Sequence, residues 1–294
     1  MPPLPSDYQT LTADAKRGLL WQNLLADEYA DDALPNISYP AFVARATVHG
    51  LFSVRFLRQT FEHMGDELPA GRKKIVHPYG TVCQVRWEAV PENPFTGVLR
   101  TGGIGLIRIG LSLPARSFTP GMGLKILVGG HPSRNVVCIP NLEGQGADAN
   151  VFARPCSTIL PPFSGLVLGA VKIMFTKAVK QIPSRGLSWN KIPVNHLAET
   201  ESDGAPVANP VIPDELVFQP TADAQTSSAP TPDYRLKLKA IPPGTALYDI
   251  SARATEGGAL QPIGRLITES RFVASRYGDE VLFFQHNTGL VKGG

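Results

Sequence analysis

In KKIVHPYGTVCQVRWEAV, residues 73–90, one histidine stands ahead of a proline, a glycine and a run of alternating side chains. An imidazole titrates near ~6.5, so His77 can take a proton from a bound ligand and return it at neutral pH. Read alone, a lone histidine in V-H-P-Y-G is an ordinary residue at the start of a strand. Arg108, in TGGIGLIRIG at 101–110, is the second candidate, a fixed cation able to balance the charge of an anionic group. Alternation between Ile107 and Ile109 alone would place it on the solvent face of a half-buried strand.

The other residues with chemical potential form no generic site. No Walker phosphate loop, H-E-x-x-H or G-x-S-x-G is present. The glycines at 101–110 precede a strand instead of opening a helix, which excludes a dinucleotide loop. Cys83, Cys138 and Cys156 are widely spaced with no C-x-x-C, so neither a disulfide framework nor a zinc site is expected. Trp87 and Phe95 read as core residues. His49 and His63 fall in or beside a helical stretch and read as structural.

A chain of 294 residues, 43% apolar and 18% charged, can bury a sizeable core. Its net charge of +3, from 28 basic and 25 acidic residues, is too balanced for a nucleic-acid footprint, so no nucleic-acid partner is expected. The N-terminal residues lack the pattern of a signal peptide, and a cytoplasmic location is expected. Asn36-Ile37-Ser38 matches a glycosylation acceptor and reads as a chance match.

The elements that must hold His77 and Arg108 follow from periodicity. Leu19, Leu20, Leu24 and Leu25 recur at helical spacing over 12–28, with Thr12 and Asp14 as caps. Pro40 opens a second helix, with apolar faces from Phe42 to Phe56. After Arg72, I-V-H, V-C-Q-V-R-W-E-A-V, G-V-L-R-T, G-L-I-R-I-G-L, G-L-K-I-L-V and V-V-C-I read as short antiparallel strands. Residues 162–175, PFSGLVLGAVKIMF, are too few to span a bilayer and read as a helix within about 163–181. Lys172, Lys177 and Lys180 at helical spacing leave a membrane-surface contact through 162–181 open. Residues 183–233 read as a long surface connection. YRLKLKAI, ALYDISA, PIGRLITES and DEVLFFQH then resume the sheet. The expected fold is α+β and a single domain of four parts. These are N-terminal helices (1–70), the first half of a barrel (71–160), a helix and wrapping connection (161–233) and the second half (234–294).

Three segments taken in order resemble the catalase-like superfamily. KIVHPYGTVCQVRWEAV is similar to that family's R-V-x-H-A-x-G segment, GLIRIGLS to its V-R-F-S strand, and PGMGLKILVGG to its R-G-F-A-x-K-F-Y stretch. PIGRLITESRFVASRYGDEVLFFQH resembles the later P-V-G-K-L-x-L strand and the segment after it, so the likeness brackets about 73–141 and 234–286. The resemblance implies an antiparallel β-barrel with haem against it, His77 as the distal acid–base residue and Arg108 as the buried arginine near the haem carboxylates. It also implies a distal amide from GGHPSRNVVCIPN. Depending on a gap, Asn135, Cys138 or Asn141 takes that place, with Asn135 favoured.

The chain departs from the family where the axial tyrosine should be, since no helix with R-x-F-x-Y-x-D follows the barrel before HNTGLVKGG. Tyr277, in ASRYGDE, matches a surface segment and is not assigned as ligand. His286, a cysteine or a partner's group would have to ligate the iron. The resemblance therefore implies a haem enzyme of peroxidase or hydroperoxide-rearranging type acting on a small-molecule or lipid hydroperoxide. The alternatives are a haem-free isomerase or cyclase, an apolar-ligand-binding protein, or a membrane-peripheral lipid-handling protein.

Overall fold

The computed structural model describes residues 22, 24–26, 28–35, 79–111, 121–128, 131–132, 136–138, 189–190, 195–227, 231, 233–255, 257–280 and 282. His77, Asn135, Asn141, Cys156, His286, the expected helix after Pro40 and the whole of 162–181 lie outside the described residues.

Nine strands are described: β1 (Tyr79–Ala89), β2 (Gly103–Leu111), β3 (Gly121–Val128), β4 (His131–Pro132), β5 (Val136–Cys138), β6 (Trp189–Asn190), β7 (Glu215–Pro220), β8 (Ala246–Arg253) and β9 (Gln261–Thr268). They form one sheet in the order β4-β3-β2-β1-β9-β8-β7-β6, with β5 also on β3. Every pairing is antiparallel. The six longer strands curl into a half-barrel, so the chain is β-rich α+β. The strands expected over 82–90, 105–111, 123–128, 246–252 and 262–270 are present, as is the described part, 136–138, of the one expected over 136–139, because β-branched and aromatic residues alternate there between the two faces.

All six longer strands send side chains to one apolar cluster, which is therefore the face the sheet curls around. Cys83, Val85 and Trp87 of β1 join Ile107, Ile109, Leu124, Phe218, Tyr248, Ile250 and Leu266 there. Trp87 and Tyr248 each meet the Phe218 ring edge-on, with centroids 6.3 and 6.1 Å away. Trp87 and Phe95 are core residues, as expected. A smaller cluster of Val82, Leu106, Leu24, Tyr277 and Leu282 covers the other face of β1 and β2. Leu24 lies in the helical residues 22 and 24–26, so the N-terminal helix supplies part of this cover.

Four expectations are corrected. G-V-L-R-T is helix α1 (Val98–Thr101), because Gly97 and Gly102 flank it at φ 61° and 74°, which no continuous strand accommodates. The supposed connection 183–233 holds β6, α2 (Asn195–Glu199), β7 and α3 (Ala222–Ser227), and β7 is a pairing partner of β8 inside the sheet. Its strand Glu215–Pro220 is short and set between prolines, which masked it in the sequence. YRLKLK is helix α4 (Tyr234–Lys239), not a strand. Asp233 caps it by accepting the Arg235 N–H, and Arg235 and Leu238, one turn apart, bury one face, with Ile241 buried just after the helix ends. The expected strand DEVLFFQH begins inside α5 (Arg276–Glu280), whose Tyr277 is fully buried and not on the surface.

Helix α4 also ties down residues 28–35. Arg235 donates to Asp233 and to the Pro35 carbonyl and lies over the Tyr79 ring. Lys239 bridges Glu28 and Asp31 at 2.7 and 2.9 Å. Burial pushes the Asp233 carboxyl up, but the Arg235 guanidinium and two backbone N–H groups outweigh it and hold the group below the usual carboxylate value. Among the described residues, no helix is long and apolar enough to cross a membrane.

Candidate functional site

The site is built by the pairing of β1 with β2. Gly80 faces Gly110, Thr81 faces Ile109, and Val82 faces Arg108. Directly opposed residues share a face, so Arg108 projects beside Val82 onto the face away from the large core. Its side chain runs toward Gly80, where a Cβ would stand 2.7 Å from Arg108 Cζ and 2.7 Å from the Ile109 carbonyl oxygen. Gly80 is thus required by close approach. This is the glycine three residues after His77 in the quoted segment.

The Arg108 guanidinium donates from Nη2 to Asp279 Oδ1 at 2.8 Å, with only 5% of either side chain exposed. Asp279 comes from α5, which the chain reaches by following β1 past the end of β9. After Thr268 the backbone bulges through residues 269–272, and Val273 exchanges hydrogen bonds with Val82 at 2.8 and 2.9 Å. Thr81 Oγ1 also donates to the Val273 carbonyl. Tyr277, Leu282 and Leu24 then close over Val82 and Leu106. Arg108 is therefore buried, against the solvent-facing position that alternation alone gave, because both faces of β2 are covered here.

Lys125, paired with Leu106 across β2 and β3, is buried on the same face. Sequence reasoning missed Lys125 and Asp279. Lys125 had a readable signal, its alternation with Leu124 and Ile126. Asp279 had none, lying 171 residues from its partner.

The structure brings Arg108 against Gly80. His77 is two residues ahead of Tyr79, and Asn135 directly precedes β5. Cys138, the alternative to Asn135, pairs with Met122 at the end of β5. Cys83 faces the large core, donates to the Ser270 and Gln84 carbonyls at 3.1 Å, and burial pushes its thiol up to about 12. It is a core residue with no nucleophilic role at neutral pH.

Haem can be tested against this geometry. A cation that balances a haem carboxylate must have a donor facing the cofactor and a slot beside it. Arg108 instead bonds a carboxylate of its own chain, and Val82, Leu106, Leu24, Tyr277 and Leu282 around it are each no more than 1% exposed. On the opposite face, Cys83, Ile107 and Ile109 are fully buried against other side chains. The residues around Arg108 do not fit a haem. Among the described residues, no group of three or more His, Cys, Asp or Glu side chains could hold a metal ion.

Comparison with protein-family models, curated proteins and solved structures finds no match for this chain.

Proposed function

We propose that the protein is a haem-free acid–base enzyme on a catalase-related barrel, of isomerase or lyase type, acting on a small organic hydroperoxide through His77. One observation carries the reading: the Arg108 charge is neutralised inside the chain by Asp279, directly beside Gly80 and the start of β1. In the resemblance that cation serves a cofactor; here it serves the fold. Arg108 is a positioning residue that holds Gly80, at the start of β1, in place.

Proton transfer alone suffices for such a substrate. The imidazole takes the proton from the carbon that bears the hydroperoxide, and a C=O bond forms as the O–O bond breaks. The imidazolium then gives the same proton to the departing hydroxide, which leaves as water. A ketone and water result, with no electron passed to or from the protein. Asn135, with its amide ahead of β5, is the residue assigned to orient the peroxide oxygens.

The test uses linoleate hydroperoxide with no haem added. Wild-type protein should convert it to the corresponding ketone with loss of water, and His77→Ala should lower the rate by about 10²-fold or more. Failure of the wild type to convert it, or conversion untouched in His77→Ala, would overturn the assignment.

A further inference from the structure

We infer that the chain's own residues 273–280 and 282 occupy the sheet face on which the catalase resemblance seats haem, with the Asp279 carboxylate standing where a haem carboxylate would meet Arg108, so that the barrel does not take up haem. Three independent contacts fix this segment. Val273 re-pairs with Val82 of β1 after the bulge, through two backbone hydrogen bonds. Gly278 packs onto the Val82 side chain on this face of β1, where a Cβ would stand 3.0 Å from Val82 Cγ1. Asp279 holds Arg108 from above, while Gly80 leaves room for the guanidinium from below.

Each contact depends on the chemistry of its residue. A side chain at position 80 would push the guanidinium off the sheet, and one at 278 would lift α5 from Val82. Without a carboxylate at 279, a buried cation would lose a charged partner, a loss that proteins do not tolerate cheaply. Tyr277 and Leu282 pack with Leu24, Val82 and Leu106 in one apolar cluster on this face. A flat macrocycle laid against Arg108 would have to displace this whole segment, breaking the ion pair and the Val82–Val273 pairing together.

The inference rests on the catalase-related reading of the barrel, and its test does not use turnover, so it can fail while the role of His77 stands. Full-length wild-type protein and the paired variant Arg108→Met/Asp279→Leu are each mixed with hemin, desalted and read by the Soret band. Melting temperature is measured on the same samples to confirm that both are folded. The wild type is expected to retain no hemin and to melt at the same temperature with or without it. Weak, sub-stoichiometric retention with a broad Soret band, equal in both proteins, is surface adsorption and agrees with the inference, whereas stoichiometric retention with a sharpened band in both proteins would overturn it. Stoichiometric retention by the wild type, with a sharpened Soret band that the paired variant loses, would overturn the inference. So would hydrogen exchange showing the Val82 and Val273 amides deprotected when hemin is added, a readout that holds even if the paired variant fails to fold.

Discussion

The two faces of β1 are held by different physics. On the face the sheet curls around, Cys83, Val85 and Trp87 meet a wide apolar cluster drawn from all six longer strands. On the other, Gly80 and Val82 lie beside an ion pair sealed under Leu24, Tyr277 and Leu282. The first face owes its stability to buried apolar area and accepts any covering of the right volume. The second is specific, because only a segment with a carboxylate at the position of Asp279 can cover Arg108 and match its charge. A charge within a sealed face thus decides which part of the chain lies over it, and in this protein that part is the one following β9.

Four substitutions or conditions sharpen the contrast. Trp87→Ala, on the apolar face, should cost about 3–5 kcal/mol in urea unfolding, through lost area and a cavity beside Phe218. A much smaller loss would mean that this face is not the main source of stability. Gly80→Val, on the charged face, should cost about 1–3 kcal/mol by forcing the guanidinium and the Ile109 carbonyl apart from the new side chain. An unchanged unfolding midpoint would show that Arg108 does not rest on Gly80.

The pH dependence separates the faces further. Burial raises the Cys83 thiol from 9.0 to about 12, so the folded state keeps a proton that the unfolded chain releases first. The resulting stability is complete below pH 9.0 and declines as pH rises towards about 12, with a slope of at most about 1.4 kcal/mol per pH unit. Cys83→Ala should flatten that decline, and an identical slope in the variant would assign it elsewhere. The smallest effect belongs to the partly exposed pair at the edge of the fold. Lys239→Ala should cost under about 1 kcal/mol, and less still at high salt, when its bonds to Glu28 and Asp31 are screened.

The sequence made one face of β1 legible and left the other largely hidden. Cys83, Val85 and Trp87, followed by Ile107 and Ile109, announce the core face of paired strands through alternation, and the sheet carries them. The same rule misread YRLKLK. Leu236 and Leu238 alternate with lysines, yet Arg235, Leu238 and Ile241 also satisfy helical spacing, and the Asp233 cap decides between the two periods. Glu215–Pro220 was hidden by polar, proline-rich neighbours, although pairing with β8 makes it a strand.

At the candidate site, Arg108 was singled out by the order of the motifs, and the structure brings it against Gly80. Asp279 was not identified, because nothing local in R-Y-G-D-E says that its carboxylate meets an arginine in β2. Such a partner is chosen by tertiary packing, which periodicity does not encode.

The most direct measurement is a double-mutant cycle on the ion pair, with Arg108→Met, Asp279→Leu and the two combined, followed by urea unfolding. If residues 273–280 are fixed over β1 by this charge, Asp279→Leu alone should lose about 3–5 kcal/mol and the paired substitution should recover most of it, since the two apolar side chains replace the two charges. Losses that simply add, leaving the double variant weaker than either single one, would contradict a closed pair and return Arg108 to the pool of residues available to a cofactor.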